Sequence, residues 1–237
     1  MGAFDGQVAI VTGGSAGVGR AVALALATEG AAVGLIARGA AALDATVREI
    51  ADAGGTALAL PADVTDEAAI GAAIERVVAE FSGLDIVIAN AGLGQRGPVE
   101  ALTLTEWNAV LATNLTGPFL IVRAAVPHLR ARGGGQIIAV SSGAGKRGYG
   151  EMAAYCAAKF GLHGLMESLA EEVGGDGIRC GIVVPGSILT GFGGRTIEEK
   201  RAGGNKYLAP EDVAASILHQ LRQPQHARIQ EVLLWPF

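Results

Sequence analysis

Short runs of apolar residues alternate with longer segments of helical apolar spacing from one end of the chain to the other. The short runs predict seven strands, at residues 7–12, 32–37, 56–60, 84–89, 136–140, 178–184 and 231–234. The longer segments predict helices at residues 17–29, 40–53, from a cap at 65 or 66 to 81, 106–129, 151–173 and 210–221. Strands that alternate with helices form right-handed crossovers. The pattern therefore predicts an α/β fold with a doubly wound parallel sheet and helices on both faces.

No linker or change in composition divides the chain, so we expect one domain over its whole length. Residues 189–208 break the alternation with glycines and charged residues, directly after the sixth predicted strand. This segment should overhang the crevice at the strand ends as a short, mobile substrate lid. In the helix predicted at 106–129, Pro118 and Pro127 should interrupt or bend the helix. Asn114 is unfavourable there unless its side chain has a partner.

The composition fits this architecture and narrows the choice of partners. Half of the residues are hydrophobic and only 17% are charged, as expected where parallel strands are covered on both faces. The net charge of −5 is small and mixed along the sequence, which argues against nucleic acid or a membrane surface as partner. No apolar run approaches the roughly 20 residues that span a bilayer, and the N-terminal residues lack a secretory signal. We therefore expect a cytoplasmic protein.

Cysteine and histidine residues show no metal-binding pattern. Cys156 and Cys180 lie in apolar surroundings without CxxC spacing, so we expect buried, reduced thiols. The histidines share no metal-ligand spacing and are assigned no catalytic role; they are His128, His163, His219 and His226. We expect no metal.

A glycine-rich turn joins the first strand to the first helix, with Gly13, Gly17 and Gly19 spaced as GxxxGxG. Backbone amides at a helix N-terminus bind pyrophosphate only where no Cβ blocks the approach, so this spacing favours a dinucleotide. The second strand is followed by Arg38, with no acidic residue. An arginine there either accommodates a ribose 2′-phosphate or is only a solvated charge. The first alternative favours NADP(H) over NAD(H).

Residues 141–159 carry the clearest candidate chemistry. Tyr155 and Lys159 lie four residues apart on one helix face, and Ser142 follows the fifth strand. The lysine charge favours the phenolate and should lower the pKa of Tyr155, which suits a general acid or base. A tyrosine and a lysine at this spacing also occur as an exposed helical pair. Residues 90–92, after the fourth strand, either line a cofactor crevice or form a turn.

Taken together, these motifs resemble those of the short-chain dehydrogenases/reductases over nearly the full length of the chain. The matching residues are Thr12, Gly13, Gly17, Gly19, Asp63, Asn90, Ala91, Gly92, Asn114, Ser142, Tyr155, Lys159, Pro185, Gly186 and Thr190. The resemblance implies a Rossmann-type fold and an oxidoreductase that transfers a hydride between NADP(H) and a small carbonyl or alcohol substrate.

The resemblance also implies roles for individual residues. Tyr155 would be the acid/base, Lys159 would lower its pKa and bind the nicotinamide ribose, and Ser142 would hold the substrate oxygen. Asn114 would distort its helix and bind a water that links Lys159 to solvent. The implied cofactor-binding residues are Gly13, Ser15, Gly17, Val18, Gly19, Arg38, Asp63, Val64, Asn90, Ala91, Gly92, Tyr155, Lys159, Pro185, Gly186, Ile188 and Thr190.

Departures from the family pattern bear on cofactor and substrate. Ser15 and Ala16 stand where many NADP-preferring members have a basic residue, so the NADP(H) preference depends on Arg38. The short lid disfavours a bulky acyl-carrier substrate. A 3-oxoacyl-thioester reductase stays open, because the lid has four basic residues that would dock such a carrier: Arg195, Lys200, Arg201 and Lys206. A catalytically silent dinucleotide-binding protein is the other alternative.

Members of this family usually form tetramers, so the resemblance implies a homo-oligomer, either a tetramer or a dimer. The apolar tail at residues 233–237 either contributes to such an interface or packs on the core of its own chain.

Overall fold

The computed structural model describes residues 2–194 and 196–237, and strands alternate with helices as predicted. The strands are β1 (Val8–Thr12), β2 (Ala32–Ala37), β3 (Thr56–Pro61), β4 (Ile86–Ala89), β5 (Gly135–Val140), β6 (Ile178–Pro185) and β7 (Glu231–Leu234). The α-helices are α1 (Gly17–Thr28), α2 (Ala40–Asp52), α3 (Glu67–Phe81), α4 (Leu104–Leu111), α5 (Gly117–Ala131), α6 (Ala153–Val173), α7 (Ile197–Ala202) and α8 (Pro210–Leu221).

The seven strands form one parallel sheet in the order β3-β2-β1-β4-β5-β6-β7. Strands β2 and β3 lie on one side of β1, and strands β4 to β7 lie on its other side. Where connections diverge in this way, a crevice opens at the carboxyl ends of the two central strands. The predicted parallel α/β sheet is confirmed, and its crevice lies beyond the ends of β1 and β4.

Alternate residues of the strands are buried on opposite faces of the sheet. Ile10 and Ile137 pack with α3, α5 and α6 on one face, whereas Val11 and Ile138 pack with α1, α2 and α8 on the other. Both faces are therefore apolar, which explains why the strands are continuous apolar runs in the sequence. Thr12 at the end of β1 and Asn90 just after β4 are polar residues at the carboxyl ends, beside the crevice.

The helix predicted from residue 106 begins at Leu104, because Thr103 and Glu106 form a capping box that satisfies its first amides. Neither proline interrupts the helical path, which passes from α4 through the π-helical turn Ala112–Thr116 into α5. Pro118 lies in the first turn of α5 and Pro127 lies inside it. Of the two alternatives, interruption or a bend, the interruption was therefore wrong.

The continuous path Leu104–Ala131 is the part of the described chain that bears on the expectation that no apolar run spans a bilayer. Its 28 residues are long and apolar enough to cross a bilayer by length and composition alone. Half of its most apolar window is buried inside the protein, where α5 packs against α3, β4 and β5. Core packing accounts for its apolar character.

Candidate active site

Hydrogen bonds join the ends of β1 and β4 at the crevice. The Thr12 hydroxyl accepts from the backbone N–H groups of Asn90 (2.9 Å) and Ala91 (3.0 Å). The side-chain amide of Asn90 donates to the Thr12 carbonyl at 2.8 Å. Asn90 and Ala91 are thus held beside the glycine turn. Gly92 comes next and lies close to Asn114, because a Cβ on Gly92 would stand 3.0 Å from the Asn114 Oδ1.

The glycine turn has no room for side chains on its inner surface. A Cβ on Gly19 would lie 2.2 Å from the Gly13 carbonyl oxygen, and a Cβ on Gly13 would lie 2.7 Å from Nδ2 of Asn90. A Cβ on Gly17 would stand 3.2 Å from Cγ2 of Thr190, across the crevice. Glycine at these positions therefore lets the turn stay tight at the start of α1. This cradle fits the pyrophosphate of a dinucleotide.

The ends of β2 and β3 place one basic and one acidic residue together. The Arg38 guanidinium is 81% exposed and lies 4.0 Å from the Asp63 carboxylate. The Thr65 backbone amide and hydroxyl donate to Asp63, and these bonds, the amide first, lower the pKa of Asp63. Val64 is buried against Gly117 at the start of α5. Ser15 is half-buried in the turn between β1 and α1, and Val18 is buried in the first turn of α1.

The chain crosses the crevice after β6 ends at Pro185. The N–H of Gly186 donates to a carbonyl of β7 at 2.7 Å. Ile188 pairs with Leu208, so the two ends of the predicted lid are joined. Thr190 then faces the glycine turn. Of the implied cofactor-binding residues in this part of the chain, Pro185 ends β6, and Gly186, Ile188 and Thr190 follow it along the crevice edge.

The lid folds back on itself through Lys200 of α7. Its ammonium donates to the carbonyl oxygens of Thr190 (2.7 Å) and Phe192 (3.0 Å). Arg195, one of the basic residues considered for docking an acyl carrier, lies outside the described residues. Arg201 and Lys206 are exposed, so of the described basic residues in the lid these two face solvent.

Three polar side chains converge at the carboxyl end of β5. Tyr155 and Lys159 of α6 are 6% and 3% exposed, and the Lys159 ammonium lies 5.8 Å from the Tyr155 ring centroid. Lys159 donates to the carbonyl of Val140 at 2.9 Å. Ser142 forms a side-chain hydrogen bond with Tyr155, and its Oγ also accepts from the amide of Ala144 at 3.2 Å. The pair is buried, not an exposed helical pair.

Burial sets the protonation of this group. It raises the pKa of Tyr155 to about 12, against the lowering effect of the Ser142 hydrogen bond, and it lowers the pKa of Lys159 to about 8. The expectation of a lowered Tyr155 pKa was therefore wrong, because loss of hydration on burial is the largest effect on the phenol. At neutral pH the phenol keeps its proton.

Asn114 is fully buried in the π-helical turn Ala112–Thr116. Its Nδ2 donates to the carbonyl oxygens of Leu93 (2.8 Å) and Val110 (2.9 Å), and its Oδ1 accepts from the N–H of Leu93 at 3.2 Å. The π-helical turn lets the side chain reach a segment 21 residues away in sequence. Asn114 thereby fixes the backbone that follows β4 at the crevice.

We expect Asn114→Ala to lower the free energy of unfolding by about 2–4 kcal/mol, because backbone groups of Leu93 and Val110 lose buried partners. Urea unfolding followed by circular dichroism measures the change. Asn108→Ala is the matched control, exposed in α4, and should stay within about 0.5 kcal/mol of the unmodified protein. Equal stability of the two variants would contradict the role of Asn114.

Sequence reasoning missed two features of the site. The Phe192 ring of the lid packs on Tyr155, with centroids 5.8 Å apart and planes tilted by 54°. His163 lies 2.8 Å from Ser141 in the protein interior. A helix position four residues after Lys159 shares its buried face, and that spacing was the available signal for His163.

The C-terminal tail lies beside the site. A Cβ on Gly143 would stand 2.6 Å from Cη2 of Trp235, and a Cβ on Gly186 would stand 2.7 Å from Cε3 of the same ring. The Lys206 ammonium lies 5.4 Å from the Phe237 ring centroid. Trp235 thus contacts its own chain although it is 46% exposed, and Leu233 and Phe237 are exposed as well.

Comparison with known proteins relates the chain to several enzymes. It matches the family model described as short chain dehydrogenase over residues 7–201. A D-threitol dehydrogenase of Mycolicibacterium smegmatis is 36% identical over 87% of this chain and 80% of the relative. A 3-oxoacyl-[acyl-carrier-protein] reductase of Escherichia coli is 37% identical over 84% of this chain and 81% of the relative.

A glycine betaine reductase of Emericella nidulans is 35% identical over 99% of this chain, which spans only 19% of that longer relative. Among solved structures, a metagenomic short-chain oxidoreductase in complex with NADP is similar with a TM-score of 0.87. It is 37% identical, and the similarity covers 99% of each chain.

Proposed function

The chain belongs to the short-chain dehydrogenase/reductase family, and we propose that it is an NADP(H)-dependent oxidoreductase for small carbonyl or alcohol substrates. The observation that carries the proposal is the convergence of Ser142, Tyr155 and Lys159 at the end of β5, beside the crevice. A protein that only binds a dinucleotide has no need for a buried phenol and ammonium there. Burying such groups lowers stability unless they serve a purpose.

The chemistry follows from these side chains. Bound NADPH would supply a hydride to the carbonyl carbon. Ser142 would donate a hydrogen bond to the carbonyl oxygen, and Tyr155 would give that oxygen its phenol proton as negative charge develops there. Hydride and proton together convert the carbonyl to an alcohol. Because the Tyr155 pKa is about 12, the phenol is protonated at neutral pH and has a proton to give.

The cofactor would follow the crevice from β3 to the lid. The glycine turn would hold the pyrophosphate, and Asp63 and Val64 would contact the adenine. Residues 90–92 and Thr190 would lie on the nicotinamide side, with Lys159 on its ribose. The NADP-bound structure of a relative that matches this chain over 99% of its length supports this arrangement.

The NADP(H) preference is proposed to come from Arg38. We expect Arg38→Ala to reduce the ratio of NADPH to NADH affinity by about tenfold, because the 2′-phosphate loses a charged hydrogen-bond donor. Fluorescence titration of both cofactors measures the ratio. Arg48→Ala is the control, since Arg48 is exposed on α2 away from the strand ends. Equal affinity of the unmodified protein for the two cofactors would refute the role of Arg38.

A 3-oxoacyl-thioester reductase is the second candidate. The Escherichia coli relative at 37% identity favours it, and Arg201 and Lys206 are exposed for docking. Lys200 is used inside the lid instead. A panel of small ketones, 3-oxo acids, aldehydes and acyl thioesters, followed by NADPH oxidation, tests both candidates. A higher kcat/KM for acyl thioesters would favour the second, and no turnover on any of them would contradict both.

We also propose a homo-oligomer. Leu104, Phe119 and Phe160 are 72%, 40% and 48% exposed on the neighbouring helices α4, α5 and α6. Exposed apolar side chains on adjacent helices suit a second copy of the chain. Light scattering coupled to gel filtration distinguishes a dimer or tetramer from a monomer.

A further inference from the structure

A buried polar cluster lies beneath the turn that carries Ser142. Ser141 Oγ is 2.8 Å from His163 Nε2, and these residues are 4% and 6% exposed. His163 Nδ1 lies 3.9 Å from a carboxylate oxygen of Glu231, and the same oxygen is 2.6 Å from the Lys146 ammonium. These four residues, the Ser141–His163 cluster, join β5, α6, β7 and the turn after Ser142.

The Glu231 carboxylate orients the imidazole. Nδ1 of His163 has no hydrogen-bond partner within residues 2–194 and 196–237, and it faces that carboxylate. A proton on Nδ1 would be attracted to the carboxylate, whereas a lone pair there would be repelled. Nε2 then accepts from the Ser141 hydroxyl. Burial, and next the Lys146 charge, lower the pKa of His163, so the ring is neutral at neutral pH.

This order of serine, histidine and glutamate resembles the triads that activate a serine for acyl transfer. A substrate cannot reach Ser141, because Gly145 covers it. A Cβ on Gly145 would lie 2.7 Å from His163 Nε2 and 2.8 Å from Ser141 Oγ. Gly145 also donates its N–H to the carbonyl of Ser142 at 2.8 Å. The cluster therefore supports the residues on both sides of Ser142.

We propose that His163 is a positioning residue for the Ser142 hydroxyl, acting through Ser141 and the turn above it. The inference rests on the proposed oxidoreductase function, in which Ser142 holds the substrate oxygen. Without the bond from Ser141 to His163 the turn is free to shift, and the hydroxyl no longer meets that oxygen. Small misplacements of a group that contacts the reacting atoms cause large losses in rate. The glycine turn and the end of β2 are not part of the cluster, so cofactor binding is spared.

Substitution of His163 tests the proposal. His163→Leu keeps the volume but removes the bond, and kcat should fall by about tenfold to a hundredfold with NADPH affinity within about twofold. His163→Gln places an amide near the position of Nε2 and should recover to within about threefold of the unmodified kcat. His219→Leu, exposed on α8, is the control. Ser141→Ala should match His163→Leu, and the double variant should lose no more than either, because both remove one bond.

An unchanged kcat in both His163→Leu and Ser141→Ala overturns the inference. Amide hydrogen exchange at residues 141–147, read by mass spectrometry, decides the matter without turnover. His163→Leu should speed exchange there by about tenfold, and His219→Leu should not. If the unmodified protein reduces no carbonyl, the proposed function fails, and this exchange still tests the positioning. Unchanged exchange in a folded His163→Leu protein overturns the positioning by itself.

Discussion

Replacing Tyr155 with phenylalanine should lower turnover by at least about a thousandfold, while NADPH affinity stays within about twofold. Phenylalanine keeps the ring that packs against Phe192 at 5.8 Å between centroids, so the local packing survives. It lacks the phenol proton that the substrate oxygen receives in the proposed reaction. The residual rate would come from Ser142 and from holding the two reactants together. Steady-state NADPH oxidation and fluorescence titration measure the two effects separately.

Tyr149→Phe is the matched control, since it removes a phenol hydroxyl from the same stretch of chain and leaves Tyr155 in place. Its kcat should remain within about threefold of the unmodified value. A Tyr155→Phe protein that turns over within about tenfold of the unmodified protein would contradict the proton transfer. If no carbonyl is reduced even by the unmodified protein while NADPH binds tightly, the chain is a silent dinucleotide-binding protein.

Gly19→Ala should weaken NADPH binding by roughly a thousandfold or more, equivalent to about 4 kcal/mol. The added Cβ would lie 2.2 Å from the Gly13 carbonyl oxygen and 2.6 Å from Nδ2 of Asn90. Backbone cannot yield as a flexible side chain does, so the whole turn must shift. The amides at the start of α1 then lose their alignment toward the pyrophosphate. Calorimetric titration measures the affinity, and circular dichroism confirms that the variant is folded.

Gly39→Ala is the control for this substitution. Gly39 precedes α2 with a φ of −87°, and its Cβ would find its nearest neighbour 3.9 Å away. We expect unchanged NADPH affinity. If Gly19→Ala does not fold, Gly17→Ala tests the same turn. Gly17 has a φ of 53°, which disfavours a side chain, and a Cβ there would lie 3.2 Å from Cγ2 of Thr190, so this substitution also disturbs the turn. Normal affinity in a folded variant of either glycine would place the pyrophosphate elsewhere.

Local sequence patterns were sufficient for the sheet and for part of the site. Strand β5 was predicted at 136–140 and spans Gly135–Val140, because a strand buried on both faces is a continuous apolar run. Tyr155 and Lys159 share a helix face because they are four residues apart. Such features depend only on near neighbours in the sequence.

Features that depend on distant contacts were not predicted. The helix continues through Ala112–Thr116 because Asn114 finds its partner at Leu93, which lies in a different segment. The raised pKa of Tyr155 arises from burial that only the packed structure reveals. The bond between Ser141 and His163 joins two elements whose approach the topology decides. In each case the tertiary contact determines the chemistry.

The C-terminal tail also decides where the protein tolerates a fusion. Trp235 lies against the glycine that follows Ser142, and the Phe237 ring lies near Lys206 of the lid. Phe237 is fully exposed, and a purification tag or surface tether joined to it would begin beside Lys206 of the lid, where we expect it to hinder substrate entry. The N-terminal residues lead into the amino end of β1, at the opposite edge of the sheet. Tags and immobilisation linkers therefore belong at that end.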